Sequence, residues 1–344
     1  MADSRNYDEV YGSPFSNYSS KEFEQFLEPF RIRLQRNGID ANSIFEGRDV
    51  LDAGCGGGRG SVLIARSSPK SLCSVDISPL NVEATRRRLD GEISDEQATV
   101  LEANLAEIPL EDSSVDTIWF SGVLQHTENP SRVLLELNRV LRDGGQMFIY
   151  VYGAGGVYWR IIDAIRQGLH KTSSESIQSA LSAIGISNDR IAEFLDDWKV
   201  DYLRCYERRK FEEILEAVGF SPVFLPKGTD YDTSAQRSAG IPEDLVGEGD
   251  LRFLATKSSQ PVGLNNAQEQ YLDVNDMRAN RFPLLDSSLE SLFSSFLETL
   301  AEGIRGNPDK SIGEVANLQL RLRDEFLHHP NYRWLGDIVG RQLR

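Results

Sequence analysis

Residues 50–60, with the sequence VLDAGCGGGRG, constrain the fold of this chain more than any other stretch. The first four residues are mostly apolar and predict a buried strand, and five of the seven residues 54–60 are glycine. Residues 61–66 then predict a helix. A strand that enters a helix through glycines exposes backbone N–H groups, because glycine has no side chain to keep a ligand away. The stretch therefore predicts a ligand-binding loop.

Strands and helices alternate from residue 49 onward. The strands are predicted at residues 50–53, 72–77, 99–102, 115–120 and 146–152, and the helices between them at 61–66, 80–89 and 130–141. A further helix at residues 209–218 precedes two apolar runs, PVFLP and LRFLATK, which predict an antiparallel hairpin. This alternation is typical of a parallel sheet with helices on both faces.

Two segments depart from this alternation. The runs VYWRIIDAIRQGL and NDRIAEFLDDW predict an insertion of two or three helices at about residues 154–200, and the sequence from about residue 260 onward is again mostly helical in pattern. We therefore predict three parts: an N-terminal helical or lid segment at 1–45, an α/β domain at 46–257, and a helical C-terminal extension at 258–344.

Charge and composition exclude several classes of protein. The net charge of −16 disfavours a nucleic-acid substrate, because affinity for phosphates depends on basic surfaces. The two short basic clusters, at residues 86–88 and 208–210, lie in helical patterns rich in acids and predict solvated faces. No apolar run approaches the ~18–20 residues of a membrane span, and the first residues do not resemble a secretory signal. We predict no membrane association.

The three cysteines, Cys55, Cys73 and Cys205, are odd in number and widely spaced. They suit neither a disulfide framework nor a zinc site, which indicates a reducing compartment and no metal. We therefore predict a cytoplasmic protein.

Two classes of ligand, dinucleotides and S-adenosylmethionine, are the alternatives for the glycine loop. The dinucleotide pattern G-x-G-x-x-G fails from either starting glycine, because Arg59 or Ser61 stands at its sixth position. Asp52, directly before the loop, would repel a pyrophosphate, whereas the ammonium and sulfonium groups of S-adenosylmethionine favour a nearby carboxylate. A P-loop is excluded because no G-K-[ST] follows. Asp76, about twenty residues beyond the loop at the end of the next strand, is placed to accept hydrogen bonds from a ribose.

With these motifs the sequence resembles the class I S-adenosylmethionine-dependent methyltransferases, especially the small-molecule type. The resemblance covers roughly residues 45–152 and, more loosely, 200–257. It is carried by VLDAGCGGGRG, VDIS, NLAEIPLEDSSVD, FSGVLQHTENP and RVLRDGGQMFIYVY. It implies a Rossmann-like, doubly wound seven-stranded sheet that is mostly parallel with one antiparallel strand.

The resemblance also implies a set of cofactor contacts. The predicted contacts are Asp52, Gly54, Cys55, Gly56, Gly58, Asp76, Ile77, Asn104, Leu105 and Gly122. In the family an Asp usually stands where this chain has Asn104, and accepts a bond from the adenine amino group. An Asn carbonyl can accept the same bond.

The methyl acceptor is predicted to lie beyond the fourth and fifth strands. His126 is the candidate general base, although a histidine that only shapes the pocket is an equal alternative. The predicted acceptor contacts are Gln125, Tyr152, Tyr158, Trp159, Arg160, Tyr206 and Arg208. The alternative for the aromatic residues is ordinary packing of the inserted helices. The polar loop 228–237 is either a lid element or a solvent loop, and residues 6–20 resemble the entry segment of relatives or are disordered.

We predict an enzyme that transfers a methyl group from S-adenosylmethionine to an oxygen or nitrogen of a small-molecule acceptor. A peptide or protein side chain is the main alternative acceptor. A nucleotide-binding oxidoreductase and a non-catalytic interaction module are the other classes considered. The sequence leaves open the acceptor, the oligomeric state, including a homo-oligomer, and the role of residues 260–344.

Overall fold

The computed structural model describes residues 20–156, 158–169, 172–183, 186, 188–230, 232, 247–258 and 261–273. Three predicted features lie outside these residues: nearly all of the entry segment 6–20, most of the polar loop 228–237, and the C-terminal helices beyond residue 273. The side chain of Arg160 is also outside the described part of the chain.

The sheet has seven strands in the order β3-β2-β1-β4-β5-β7-β6. The strands are β1 (Asp49–Ala53), β2 (Ser71–Asp76), β3 (Ala98–Glu102), β4 (Val115–Ser121), β5 (Leu141–Tyr152), β6 (Phe220–Phe224) and β7 (Asp250–Lys257). All neighbours from β3 to β5 pair parallel, and β7 runs antiparallel to both β5 and β6. The predicted Rossmann-like sheet with one antiparallel strand is confirmed.

Ten α-helices are described. They are α1 (Ser20–Arg36), α2 (Ala41–Phe45), α3 (Arg59–Ala65), α4 (Pro79–Leu89), α5 (Pro130–Val140), α6 (Tyr158–Leu169), α7 (Ser174–Ala183), α8 (Asn188–Trp198), α9 (Arg208–Ala217) and α10 (Asn266–Asp273). The predicted insertion after β5 forms three helices, α6 to α8.

Local signals in the sequence determine where the crossover helices begin. The side chain of Ser78 caps α4 by accepting a hydrogen bond from the backbone of Asn81, and Pro79 occupies the first turn. Asn129 caps α5 in the same way, and Pro130 follows it. A polar cap followed by proline is favoured at a helix start, because the cap satisfies a free N–H and proline lacks one.

Two apolar clusters cover the two faces of the sheet. On one face α1, α3 and α4 contribute Phe23, Leu27, Val62 and Val82 among others. On the other face α5, α9 and α10 contribute Leu137, Phe211 and Leu272 among others. Both faces of the parallel sheet are therefore buried, as the alternation of strands and helices predicts.

Strand β5 differs from the sequence prediction, and helix α10 adds a contact that the sequence did not indicate. Strand β5 already begins at Leu141, before the DGG turn predicted at residues 143–145, and a register shift between Val115 and Thr117 in β4 accompanies this early start. Helix α10 lies beyond the predicted domain boundary at 257, yet its Leu272 is fully buried in the core. Segments beyond β7 therefore contribute to the α/β domain.

The chain divides into two compact units, one comprising Met1–Ile161 and Asn188–Arg278, the other Ile162–Ser187 and Ala279–Arg344. The sheet and the residues at its carboxyl edge belong to the first unit. In the second, α7 buries Ile177 and Leu181. Among the residues that the structure describes, no helix has the length and apolarity needed to cross a membrane.

Candidate active site

The sheet has a topological switch point between β1 and β4. The chain leaves β1 toward β2 on one side, whereas β4 and β5 lie on the other side. Open α/β sheets bind ligands in the crevice outside the carboxyl ends of the strands at such a point. The loops after β1 to β5, which hold most of the predicted site residues, all emerge at this edge.

The glycine loop after β1 needs glycine for two separate reasons. Gly54, Gly56 and Gly58 have φ angles of 75°, 52° and 87°, in the left-handed region that disfavours residues with a Cβ atom. At Gly54 a Cβ would also lie 2.5 Å from a methyl carbon of Val123. At Gly56, by contrast, nothing lies within 4 Å of the Cβ position. The loop thus packs tightly against the turn after β4 and leaves room for a ligand beside Gly56.

Asp76, at the end of β2, connects the glycine loop to the next helix. Its Oδ2 accepts a hydrogen bond from the N–H of Gly56 at 2.8 Å, and its Oδ1 accepts one from the N–H of Ser78 at 2.9 Å. Burial raises the pKa of the carboxyl group above its ordinary value, although these hydrogen bonds oppose the shift. The predicted ribose-binding acid thus lies next to the loop.

Asp52 is more deeply enclosed than the sequence suggests. Its carboxylate is 2% exposed, and its Oδ2 accepts a hydrogen bond from the hydroxyl of Ser61 in α3 at 2.6 Å. A Cβ at Gly60 would approach the same oxygen to 2.8 Å. Burial raises the pKa of Asp52 to about 7. The carboxylate therefore contacts the start of α3, and its predicted role beside the methionine part of the cofactor stays a prediction.

The residues predicted to hold the adenine follow β2 and β3. Ile77 is half-buried and Leu105 is buried, so each presents apolar surface near this edge. The side chain of Asn104 is exposed, and its Oδ1 accepts a hydrogen bond from the N–H of Ala106 at 2.9 Å. An amide oxygen has two lone pairs, so this bond leaves one for an adenine amino group.

The turn after β4 carries Gly122, Gln125 and His126. The N–H of Gly122 donates to the carbonyl of Tyr150 at 3.0 Å, which ties the turn to β5. Gln125 lies in the short 3-10 helix Leu124–His126 and is fully buried. Neither polar atom of its side chain has a hydrogen-bond partner among the described residues.

One ring nitrogen of His126 lies within hydrogen-bonding distance of a carbonyl, and the other faces a carboxylate at a longer distance. Its Nδ1 lies 3.1 Å from the carbonyl oxygen of Tyr202, and its Nε2 lies 3.6 Å from Oδ1 of Asp196 in α8. Because a carbonyl only accepts, Nδ1 carries the hydrogen, and Nε2 faces the carboxylate. A general base at this position needs its Nε2 to reach the acceptor. That role therefore requires Nε2 to face the acceptor in place of Asp196. It stays a prediction.

Three of the predicted acceptor contacts, Tyr152, Tyr158 and Trp159, contact one another and form an aromatic wall, whose role at the acceptor site stays a prediction. Tyr152 stacks on Trp159 with ring centroids 4.8 Å apart, and Tyr158 packs edge-on against Trp159 at 4.9 Å. The hydroxyl of Tyr152 donates to Oδ2 of Asp196 at 3.0 Å. Burial raises the pKa of Tyr152 well above its ordinary value, so this hydroxyl stays protonated. The wall lies beside His126, whose ring contacts Tyr152 edge-on at 5.5 Å.

Tyr206 and Arg208 make contacts outside this wall, and their predicted role at the acceptor site stays a prediction. Tyr206 is 1% exposed, and its ring stacks on Phe211 in the core at 5.0 Å. The guanidinium of Arg208 lies over the ring of Phe224 in β6 at 4.9 Å. Apolar packing beneath α9 explains both positions, and neither contact places these residues at the acceptor site.

Residues 51–149 match the sequence profile of a methyltransferase-domain family. This match contains the glycine loop, Asp76 and the turn after β4. The chain contains a class I S-adenosylmethionine-dependent methyltransferase domain. S-adenosylmethionine is its cofactor, and the glycine loop with room beside Gly56 fits that cofactor.

The methyltransferase domain is similar to several curated proteins. A "probable S-adenosylmethionine-dependent methyltransferase" of Mycobacterium tuberculosis is 38% identical over 102 residues, which are 30% of this chain and 35% of that protein. The dimethylglycine N-methyltransferase of Parasynechococcus marenigrum is 28% identical over 170 residues, 49% of this chain and 60% of that protein. The malonyl-[acyl-carrier protein] O-methyltransferase of Herminiimonas arsenicoxydans is 31% identical over 145 residues, 40% of this chain and 52% of that protein. The chain thus spans less than two thirds of the length of each.

Sequence reasoning missed a buried ionic cluster next to the methyltransferase domain's β5. Arg33 in α1 makes two hydrogen bonds to Asp232, at 2.9 and 2.8 Å, and Arg252 in β7 contacts the same carboxylate at 2.9 Å. Arg252 also lies 3.2 Å from Asp250, which accepts a hydrogen bond from the hydroxyl of Tyr150. Arg33 and Asp232 are 199 residues apart, so no local pattern could have indicated the pair.

Asp196 is the second residue that sequence reasoning missed. It meets both His126 and Tyr152, but in the sequence it is one of two adjacent acids in a helix rich in charged residues. Its position in NDRIAEFLDDW predicts an amphipathic helix without showing which acid faces inward. The sequence around Asp196 has no cap residue or glycine that would indicate which side of the helix faces the core.

Proposed function

We propose that this chain transfers a methyl group from S-adenosylmethionine to an oxygen or nitrogen atom of a small-molecule acceptor. The contact between Gly54 and Val123 carries the proposal. It joins the cofactor loop to the turn that bears Gln125 and His126, so the methyl donor and an acceptor held at that turn would be neighbours. The names of similar proteins, which include an N-methyltransferase and an O-methyltransferase, support these acceptor atoms.

Different residues would bind the cofactor and orient the acceptor. The backbone of residues 54–58 and the carboxylate of Asp76 would hold the cofactor. When bound, S-adenosylmethionine supplies an electrophilic methyl group. Methyl transfer depends mainly on alignment of the acceptor's lone pair, so the chain's main task is to orient the acceptor. The rings of Tyr152 and Trp159 would orient it by packing against an apolar or planar part.

A protonated acceptor also has to lose a hydrogen. His126, with the carboxylate of Asp196 beside it, would receive that proton at Nε2. Asp196 would then stabilise the imidazolium that forms. An acceptor that reacts as a free amine would need no such step.

The acceptor is proposed not to be a nucleic acid, since the chain carries a net charge of −16. A reducing, cytoplasmic location is part of the proposal. It is supported by the three free cysteines, of which Cys55 is buried and has its pKa raised well above the ordinary value. Such a thiol is largely protonated and therefore unreactive.

Calorimetric titration with S-adenosylhomocysteine tests the cofactor, and NAD serves as the competing ligand. We expect the wild-type chain to bind S-adenosylhomocysteine and not NAD. Asp76→Asn should lose most of the affinity for S-adenosylhomocysteine. Asp49→Asn, at the amino end of β1 and away from the glycine loop, should keep it. Binding of NAD in place of S-adenosylhomocysteine would overturn the proposal.

A screen of candidate acceptors tests the transfer itself. Small alcohols, phenols, amines and short peptides would be incubated with the chain and S-adenosylmethionine, and mass spectrometry would detect the gain of one methylene unit. We expect a small-molecule product. A product formed only on peptides would favour the alternative acceptor class.

A further inference from the structure

The side chain of Gln125 is a buried primary amide with unsatisfied hydrogen-bonding capacity. It is 0% exposed, and both its Oε1 and its Nε2 lack a hydrogen-bond partner among the described residues. An unsatisfied buried polar group destabilises a fold, whereas an apolar side chain of the same shape does not. A glutamine at this position therefore calls for a partner that the described protein atoms do not provide.

The position of Gln125 links it to the proposed reaction. Its Nε2 lies 3.9 Å from the point where a Cβ would stand at Gly122, and the ring of Tyr150 comes within 3.6 Å of the same point. Val123, in the same turn, packs against Gly54 in the cofactor loop. The amide thus lies on the turn between the cofactor loop and the aromatic end of β5.

Two hydroxyl groups at this edge of the sheet already have partners. The hydroxyl of Tyr150 donates to Asp250, and the hydroxyl of Tyr152 donates to Asp196. Both ring nitrogens of His126 face oxygen atoms of the protein. The two hydroxyls are therefore engaged, whereas both polar atoms of the Gln125 amide can still form hydrogen bonds with a ligand.

The chemistry of an amide restricts that ligand. A glutamine amide presents one acceptor and two donor hydrogens in a single plane, and it pairs in a bidentate manner with a donor and an acceptor that lie side by side. A carboxylate lacks the donor, an ester lacks the donor, and an ammonium lacks the acceptor. A lactam or a carboxamide provides both in one plane.

We propose that Gln125 recognises a neutral methyl acceptor that carries a lactam- or carboxamide-type edge. This inference rests on the proposed methyl transfer and specifies its substrate class. Gln125 acts as a specificity-determining residue that binds the acceptor beside the cofactor loop. The aromatic wall of Tyr152 and Trp159 suits the planar remainder of such a molecule.

A pair of small probes tests this assignment. The compound 2-pyridone has a lactam edge, and N-methyl-2-pyridone has the same ring without the N–H donor. Both would be titrated by ligand-observed NMR into the full chain saturated with S-adenosylhomocysteine, and also into the chain without it. We expect 2-pyridone to bind about tenfold more tightly, the difference that one buried hydrogen bond provides.

Two variants show whether Gln125 causes the preference. Gln125→Leu keeps the approximate size and should bind both probes equally, with S-adenosylhomocysteine affinity unchanged within about twofold. Gln97→Leu replaces a glutamine whose amide already donates to the carbonyl of Pro69, and it should keep the wild-type preference. Urea denaturation of each variant confirms that it is folded.

Several outcomes would overturn the inference. These are equal binding of the two probes by the wild-type chain, binding of neither, or a preference that survives in Gln125→Leu.

A large loss of S-adenosylhomocysteine affinity in Gln125→Leu would assign the amide to the cofactor. Greater stability of Gln125→Leu with unchanged probe binding would assign it to a structural water. Failure of the wild-type chain to bind S-adenosylhomocysteine would instead contradict the proposed function, whatever the probes do.

Discussion

At the scale of single residues, glycines with the same backbone angle do not have the same importance. Gly54 and Gly91 have φ angles of 75° and 78°, so a side chain is strained at either position. Nothing lies within 4 Å of the Cβ position at Gly91, whereas Val123 occupies that space at Gly54. Comparing the two positions separates the cost of the backbone angle from the cost of the contact.

We expect Gly91→Ala to lower the free energy of unfolding by about 1–2 kcal/mol, the cost of a left-handed angle at a residue with a Cβ. Gly54→Ala should cost clearly more, because Val123 or the loop has to shift as well. Only Gly54→Ala should also weaken S-adenosylhomocysteine binding. Urea denaturation and calorimetry measure the two effects. Equal losses of stability would show that the loop relaxes freely.

Asp52 should give the protein a stability that depends on pH. Its folded-state pKa of about 7 lies above the ordinary value of 3.8, so the folded chain holds this proton more tightly than the unfolded chain does. The resulting stabilisation is fully present below about pH 4 and is lost as the pH rises through 7. A shift of about three units corresponds to at most about 4 kcal/mol.

Asp52→Asn removes this titration. We expect the free energy of unfolding of the variant, relative to wild type, to rise between pH 5 and pH 8. Asp49→Asn on the same strand is the control, because the pKa of Asp49 is lowered to about 2 and the group does not titrate in that range. Urea denaturation at a series of pH values measures both. Parallel curves for wild type and Asp52→Asn would contradict the shifted pKa.

At the scale of elements, the ionic cluster joins α1 to the segment after β6. The side chains of Asp232 and Arg252 are 7% and 2% exposed, and that of Arg33 is 19% exposed. The two guanidinium groups hold the pKa of Asp232 far below its usual range, although burial opposes this shift. Since α1 also packs on α3, the cluster helps to fix α1 beside the helix that follows the glycine loop.

Asp232→Asn would leave two largely buried cations without their shared carboxylate. We expect it to lower the free energy of unfolding by about 3–5 kcal/mol. Asp230→Asn is the matched control in the same segment: Asp230 pairs with Arg36 at 2.8 Å but its side chain is 81% exposed. Its loss should cost no more than about 1 kcal/mol. Similar losses in the two variants would contradict a structural role for the buried cluster.

The elements that the sequence predicted correctly are those with local signals. Helical spacing predicted α5, glycines predicted the loop after β1, and apolar runs predicted each strand. The early start of β5 was missed because its register depends on a shift in the neighbouring strand β4. Pairing between strands is set by tertiary contacts, which periodicity does not contain.

The residues of the candidate active site also fall into two groups, those that short motifs predicted and those that only the fold shows. The cofactor loop, Asp76 and the aromatic pair of Tyr152 and Trp159 lie in short motifs, and the structure brings them to one edge. Asp196 and the ionic cluster come from segments far apart in the chain, so only the fold shows them. The burial of Tyr206 also depends on tertiary packing, and its predicted role at the acceptor site stays a prediction.

At the scale of the whole molecule, the α/β domain extends past its last strand. Helix α10 buries Leu272 completely, and the hydroxyl of Tyr271 accepts a hydrogen bond from the backbone N–H of Glu207. The segment that starts the C-terminal extension in the sequence prediction therefore contributes to the domain core. The position of the domain boundary stays a prediction.

Leu272→Ala tests whether α10 stabilises the domain. We expect it to lower the free energy of unfolding by about 2–5 kcal/mol, as for other buried leucines. Val262→Ala, in the same segment but 89% exposed, should change it by less than about 0.5 kcal/mol. Thermal or urea denaturation of the full chain measures both. A negligible effect of Leu272→Ala would show that α10 is dispensable for the core.

The contact between Gly54 and Val123 affects which substitutions each of the two positions tolerates. A Cβ added at Gly54 meets the side chain of Val123. A smaller residue at 123 would remove the collision, but Gly54 would still have a left-handed backbone. Such a change therefore removes the steric cost of a side chain at 54 and leaves the cost of the backbone angle. A side chain at position 54 lowers stability whatever residue stands at 123, as long as the loop keeps its shape.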